Sequence, residues 1–233
     1  MTRRSSKPTV RHWEDLRGSE ARTVTALRAV RDDPECLWVL CDRNRVGLLG
    51  RETVARLGLR AGSILDAALI ERVDAEVRWR LARRDAVRML AARSYTRRGL
   101  ADALVRKGHE RADANGVAGW AADRGFIDDA RFAEVLVRNE LARRPAGRRL
   151  LESKLRAKGV GPEDAARAID NALGPRDELE DAIRIARTAV RSLSRSHQRE
   201  VVQRRAVGRL GRRGFSGEVA RRAVERALRE VSG

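Results

Sequence analysis

The side chains able to do chemistry fall into two very unequal groups. The smaller holds scattered carboxylates, thiols and imidazoles. Asp128 and Asp129 are adjacent and have the composition of a metal-binding or acid–base pair. They stand where a helix should start, with no third ligand and no cluster around them, so helix capping is the chemistry they are suited to. His12, His109 and His197 fit neither a triad nor a metal-ligand spacing. Cys36 and Cys41 bracket a CLWVLC run without a second Cys/His pair, and read as two small buried hydrophobes. These residues support no catalytic site, no metal, no cofactor and no small-molecule substrate, and the chain reads as a non-enzyme.

The larger group is basic. There are 51 Lys and Arg against 33 Asp and Glu, a net charge of +18. Such a balance favours a polyanionic partner, nucleic acid first. Only four of the basic residues are Lys (Lys7, Lys107, Lys154, Lys158). A genome rich in Arg codons explains part of that preference, but not the net charge, because the acidic residues did not rise in step. The first 80 residues carry a net +4 and the rest a net +14, which puts polyanion binding in the second part. There the cations gather in three places: Arg97, Arg98, Arg106 and Lys107; then Arg143, Arg144, Arg148, Arg149, Lys154, Arg156 and Lys158; then Arg204, Arg205, Arg209, Arg212 and Arg213.

These clusters belong to an internal repeat. Three segments end in a basic residue and a glycine, at Gly108, Gly159 and Gly214. Four residues before each glycine stand Leu104, Leu155 and Leu210; eight before stand Leu100, Leu151 and Ala206. Residues four apart share a helix face, so these pairs predict a buried stripe. The glycine suits the left-handed position that closes a helix, and the cation before it suits the helix dipole. His109, Val160 and Phe215 follow the glycines and are placed to pack back.

The glycines are 51 and 55 residues apart, room for three helices per unit. The spacing predicts helices over 66–93, 96–107 and 110–124; over 128–143, 146–158 and 162–173; and over 177–194, 197–213 and 216–231. Asp128, Arg144-Pro145, Gly161-Pro162, Gly174-Pro175 and Ser216 mark the breaks. If the units stack in register, the middle helices present one continuous basic stripe. Gly208 and Gly211 lie inside the third middle helix, each costing up to about 1 kcal/mol relative to Ala.

Before residue 66 the pattern differs. Segments 23–30, 36–41 and 46–49 read as short strands, with a turn at 42–45. A short helix over 52–57 stops at Gly58, Gly62 begins a turn, and Asp66 can cap the first long helix. The expected organisation is a disordered basic arm (1–18), a small β-rich domain (19–65) and helical repeats over 66–126, 127–175 and 176–233. The fold class is mainly α, an elongated, curved, solenoid-like array of three three-helix repeats with a small β-containing N-terminal segment. Aromatics are only 3% of the chain. Phe132 should anchor the core with Leu136 and Val135, Phe126 should pack inward after Gly125, and Trp38 and Trp79 should be core. Tyr95 and Trp120 are suited to packing first and to base stacking second. No run reaches membrane-spanning length and no apolar signal core opens the chain, so the expectation is a cytoplasmic protein with no membrane partner.

Three blocks in order, SYTRRGLADALVRKG at 94–108, RGFIDDARFAEVLVRNEL at 124–141 and RRLLESKLRAKGV at 148–160, resemble the RecX family. The resemblance covers roughly 75–231 and is looser in the third unit. The 58–66 string GLRAGSILD is similar to the front end of longer members. Gly99 departs from the pattern, standing where members carry a polar helix former. The resemblance implies a nine-helix module without catalytic activity that binds the RecA filament on single-stranded DNA along its groove. It implies restraint of RecA ATPase, strand exchange and coprotease activity in recombination and DNA repair; the sixteen cations named above, singled out by their repetition, are then the candidate RecA- or DNA-binding residues. The alternative is a stand-alone basic helical-repeat protein that binds DNA or RNA without RecA.

Overall fold

The computed structural model describes residues 21–31, 33–41, 44–174 and 178–232. The arm expected over 1–18, His12, the Asp42-Arg43 half of the first turn and Pro175 lie outside the described residues. The chain divides into two compact units, Met1–Asp85 and Ala86–Gly233.

In the first unit, β1 (Arg22–Val30), β2 (Asp33–Cys41) and β3 (Asn44–Gly50) form an antiparallel meander, followed by α1 (Arg51–Arg56) and β4 (Ile64–Leu65). The sheet order is β3-β2-β1-β4. β4 was not foreseen: it is two residues long, pairing Leu65 with Arg22 and Ile64 with Thr23, too short to show an alternation. A register shift between Val39 and Leu40 lets both face the interior, with 0% and 6% exposure, where strict alternation would expose one of them. Val24, Val39, Cys41, Val46, Leu49 and Leu65 make the core with Val54, Ile70 and Val73. Both cysteines are buried and neither is in a disulfide, in keeping with small buried side chains. Trp38 and Trp79, expected in the core, are half-buried; Trp38 lies under the Arg45 guanidinium, 4.9 Å from the ring centre, an amphipathic use of the ring.

From Asp66 onward the chain is helical. The Asp66 carboxylate accepts from the Leu69 amide at 2.8 Å and opens α2 (Ala67–Ala92). Then come α3 (Arg97–Arg106), α4 (Arg111–Asp123), α5 (Asp129–Arg143), α6 (Arg148–Ala157), α7 (Pro162–Leu173), α8 (Glu178–Leu193), α9 (Arg199–Arg212) and α10 (Gly217–Ser232). The fold is mainly α, three successive three-helix repeats behind a small β-containing segment.

The repeated block behaves as its spacing predicts. Gly108, Gly159 and Gly214 have φ of 102°, 81° and 83°. In each, the amide three residues past the helix returns to the corresponding carbonyl: His109 to Leu104 at 3.1 Å, Val160 to Leu155 at 3.1 Å and Phe215 to Leu210 at 3.3 Å. This is a Schellman closure made three times. Leu100, Leu104, Leu151, Leu155, Ala206 and Leu210 are fully buried. The second repeat centres on Val137, Leu151, Leu155 and Ile169, and the third on Ile183, Val190, Leu210 and Phe215. α9 continues unbroken through Gly208 and Gly211, and no neighbour presses close enough at either place to demand a glycine.

Two aromatic-block expectations are corrected. Phe126 does not turn inward: it is 58% exposed, lying against Trp120 with ring centres 5.7 Å apart. Gly125, at φ 73°, closes α4 and directs the following ring out over the helix end. Val135 is 38% exposed, while Phe132 and Leu136 pack on the second-repeat core. A position three past Phe132 lies on the edge of the buried stripe, and here the edge faces solvent.

Candidate polyanion-binding surface

The middle helices α3, α6 and α9 are joined head to tail. The closing turn of α6 rests on the first turn of α3, and the closing turn of α9 on the first turn of α6.

At the first junction the link is a side chain. Thr96 caps α3: its hydroxyl accepts from the Gly99 amide at 2.9 Å and donates to the Lys158 carbonyl at 2.6 Å. The residue is 1% exposed, so both bonds are sheltered from water. A Cβ on Gly99 would stand 2.8 Å from the Thr96 hydroxyl oxygen and 3.5 Å from the Lys158 carbonyl. The departure from the family pattern at Gly99 therefore sits where space is short. The two aspartates divide their work. Asp128 accepts from the Arg131 amide at 2.8 Å and caps α5, while Asp129 accepts from the Arg97 amide at 2.8 Å, across the junction. Burial pushes the Asp129 carboxyl above its ordinary range, against the pull of that amide. Among the described residues no group of three or more His, Cys, Asp or Glu gathers.

At the second junction the link is backbone. Gly147 caps α6 without a side chain; its amide donates to the Arg213 carbonyl at 2.9 Å, and the Arg149 amide to the Gly214 carbonyl at 3.3 Å. The carbonyls closing α9 thus satisfy amides opening α6. A Cβ on Gly147 would stand 2.3 Å from the Gly214 oxygen, and one on Gly214 2.3 Å from the Leu150 nitrogen. The Arg213 guanidinium folds back, donating to the Pro145 carbonyl through Nε at 3.0 Å and Nη2 at 2.6 Å. It also donates to the Arg144 carbonyl at 3.0 Å and lies 3.7 Å from Glu140.

The sixteen candidate cations separate accordingly. Arg213 holds the second junction together. Lys154 pairs with Glu140 at 2.6 Å, and Arg148 pairs with Asp170, which raises its own pKa. Arg98 stands 3.8 Å from Asp102 and packs its stem against Gly159. The Arg97 guanidinium lies over Gly119 of α4, and Arg205 meets the His197 ring. Lys107 ends α3 at the far side from the junction. Among the described residues, Arg106, Arg143, Arg144, Arg149, Arg156, Lys158, Arg204, Arg209 and Arg212 are exposed and have no carboxylate at ion-pair distance. Unpaired guanidiniums keep their full charge for a ligand and suit phosphate or carboxylate equally.

Two adjoining cavities open beside the first junction. One, about 390 Å³, is ringed by Arg93, Arg98, Arg106, Arg156 and Lys158 with one carboxylate, Asp102. The Arg111 guanidinium, 2.6 Å away, holds that carboxyl below its ordinary range. The other, about 740 Å³, is floored by Leu90, Phe126, Phe132, Val135 and Leu136 and edged by Arg131 and Arg143. Arg93 and Arg131 lie outside the repeated block, which is why spacing did not single them out.

Residues 128–169 match the family model described as RecX, second three-helix domain. Regulatory protein RecX of Thermobifida fusca is 36% identical over 147 residues, 63% of this chain and 78% of that protein. Regulatory protein RecX of Chromohalobacter salexigens is 36% identical over 146 residues, 62% of this chain and 91% of that protein. In fold the chain is similar to a crystal structure of regulatory protein RecX, with a TM-score of 0.68 at 18% identity over 85% of this chain and 96% of the other. No helix among the described residues is long and apolar enough to cross a membrane. With relatives of this identity matched over most of their own length, the chain belongs to the RecX family of regulatory proteins.

Proposed function

We propose that this chain is a cytoplasmic, non-enzymatic regulator of RecA, binding the RecA filament on single-stranded DNA along its groove. Its chief effect there is inhibition of ATP hydrolysis, strand exchange and coprotease activity. The observation that carries the reading is the head-to-tail row of α3, α6 and α9 with its exposed, unpaired cations. A row of similar basic sites can engage consecutive subunits of a helical polymer, so that several weak contacts sum to avidity without a dominant one. Preferring one filament state would shift the filament toward it and slow the steps that require the other. Membership of the RecX family supports the same reading.

The test is to add the protein to RecA assembled on single-stranded DNA and follow ATP hydrolysis and strand exchange. Both should fall at well below one copy per RecA subunit. No effect at stoichiometric ratios overturns the proposal. The unpaired cations also suit a nucleic-acid-binding protein that needs no RecA. Nanomolar affinity for bare DNA at physiological salt, falling steeply as salt rises, together with indifferent RecA kinetics, would select that second reading.

A further inference from the structure

The chain has eight aromatic residues, and four of them, Tyr95, Trp120, Phe126 and Phe132, fall in one stretch beside the first junction. A fold so poor in aromatics buries them where it can, yet Phe126 stays 58% exposed and Tyr95 is half-buried. Arg93 covers Tyr95, 4.4 Å from the ring centre. The polar cavity and the apolar cavity meet here: Ser94, Tyr95, Phe132, Ala157 and Lys158 line both. Five cations surround one side of this shared wall, and the rings of Tyr95, Phe126 and Phe132 line the other.

We propose that the two cavities together form a subsite for one nucleotide of a single strand. The phosphodiester sits among Arg98, Arg106, Arg156 and Lys158, and the base lies against Tyr95, Phe126 and Phe132. Charge and shape agree with this. A cup of several guanidiniums and an ammonium matches phosphate as well as it matches carboxylate; the rings beside it favour a nucleotide, because a flat base is the apolar group that ring faces match with little regard to sequence. Asn139 and Ser94 on the apolar side offer an amide and a hydroxyl to a base edge. The carboxylates nearby do not oppose it: Asp128 caps α5, Glu140 is held by Lys154 and Asp102 by Arg111. A base stacked within a duplex cannot enter, so the subsite selects single strands. An acidic peptide with one apolar anchor is the competing occupant. Its carboxylates stand at the ends of flexible stems that binding must immobilise, and its anchor is not held next to the charge as a base is held next to its phosphate. The subsite rests on the regulatory reading only in placing the strand inside a RecA filament; its chemistry is tested without RecA.

The test uses the full chain and a fluorescein-labelled oligothymidylate, followed by anisotropy over a range of salt. A matched abasic strand, a duplex and an acidic phenylalanine-bearing peptide are the comparisons. Phe126→Ala should weaken binding of the oligothymidylate by about 5-fold or more with its salt dependence unchanged, and leave the abasic strand unaffected. Arg156→Ala should weaken both strands and reduce the salt slope by about 0.7. Arg209→Ala, on α9 away from the cavities, should change the slope without changing the thymine-over-abasic preference. Both cavity side chains are exposed, and unchanged thermal unfolding of the variants verifies that folding is intact. Equal affinity for thymidylate and abasic strands, or an unaltered preference in Phe126→Ala, overturns the subsite. So does displacement by the peptide without base dependence. Base-dependent binding with no effect on RecA keeps the subsite and removes the filament reading. Loss of base dependence with RecA inhibition intact does the reverse.

Discussion

The two junctions of the middle-helix row make the same contact with opposite materials. Between α3 and α6 a buried hydroxyl bridges the gap, and a neighbouring repeat lends Asp129 as a second cap. Between α6 and α9 there is no capping side chain at all: two glycines let backbone meet backbone, and one arginine from α9 secures the carbonyls that end α5. The difference teaches what the repeat requires. It requires that the amides opening one middle helix be satisfied where the closing turn of the next one docks. Whether oxygen from a threonine or from a carbonyl does so is secondary, but the choice decides which substitutions each junction tolerates.

The largest effect should come from Gly214→Ala. The new Cβ would press on Leu150 backbone at 2.3 Å and the residue would have to keep a φ of 83°, together costing roughly 2–5 kcal/mol. Gly108→Ala is the control: its φ is 102° but its Cβ would meet open space, so only the backbone cost of about 1–2 kcal/mol applies. Urea unfolding checks both, and equal losses would break the comparison.

Next comes Arg213→Ala, which strips the Arg144 and Pro145 carbonyls of their donor and should cost about 1.5–3 kcal/mol. Arg213→Lys should recover less than half, because an ammonium lacks the planar fork that reaches both carbonyls. Hydrogen exchange should quicken around 144–150 and 210–216 while residues 97–106 hold their protection. Uniform quickening along the row would mean that the junctions are not separate.

Smaller still, Thr96→Val keeps the volume but removes the cap of α3 and the donor to Lys158, at a cost of about 1–2 kcal/mol. Thr96→Ser should restore most of it. A silent Thr96→Val, measured in the same urea series, would show that the first junction depends on packing against Gly99 and Gly159 and not on the hydroxyl.

Much of this was legible in the residues themselves, and for a local reason. The nine long helices among the described residues follow from a period near 3.6, the repeated closures from glycine's ease at positive φ, and three of the starts from Asp66, Asp128 and Ser216. Each signal acts within a few residues, so no distant partner had to be known. β4 was missed because two residues carry no period. Phe126 was misplaced because a ring after a closing glycine can turn either way, and the choice belongs to Trp120 and the helix end. The basic clusters were visible as composition, but their division was not. Lys154, Arg148 and Arg213 differ from Arg149, Arg156 and Arg212 only in what the fold brings beside them.

Sequence alone therefore determined the helices, the caps at Asp66, Asp128 and Ser216 and the repeated basic block, since all of these arise from interactions between near neighbours along the chain. Tertiary structure alone decided that the middle helices meet end to end, that Gly147 and Gly214 interlock and that four aromatic rings gather next to a cup of cations. The residues that decide these features lie far apart in the chain, 62 positions in the case of Thr96 and Lys158 and 68 for Arg213 and Pro145, and only packing the repeats together brings them within reach.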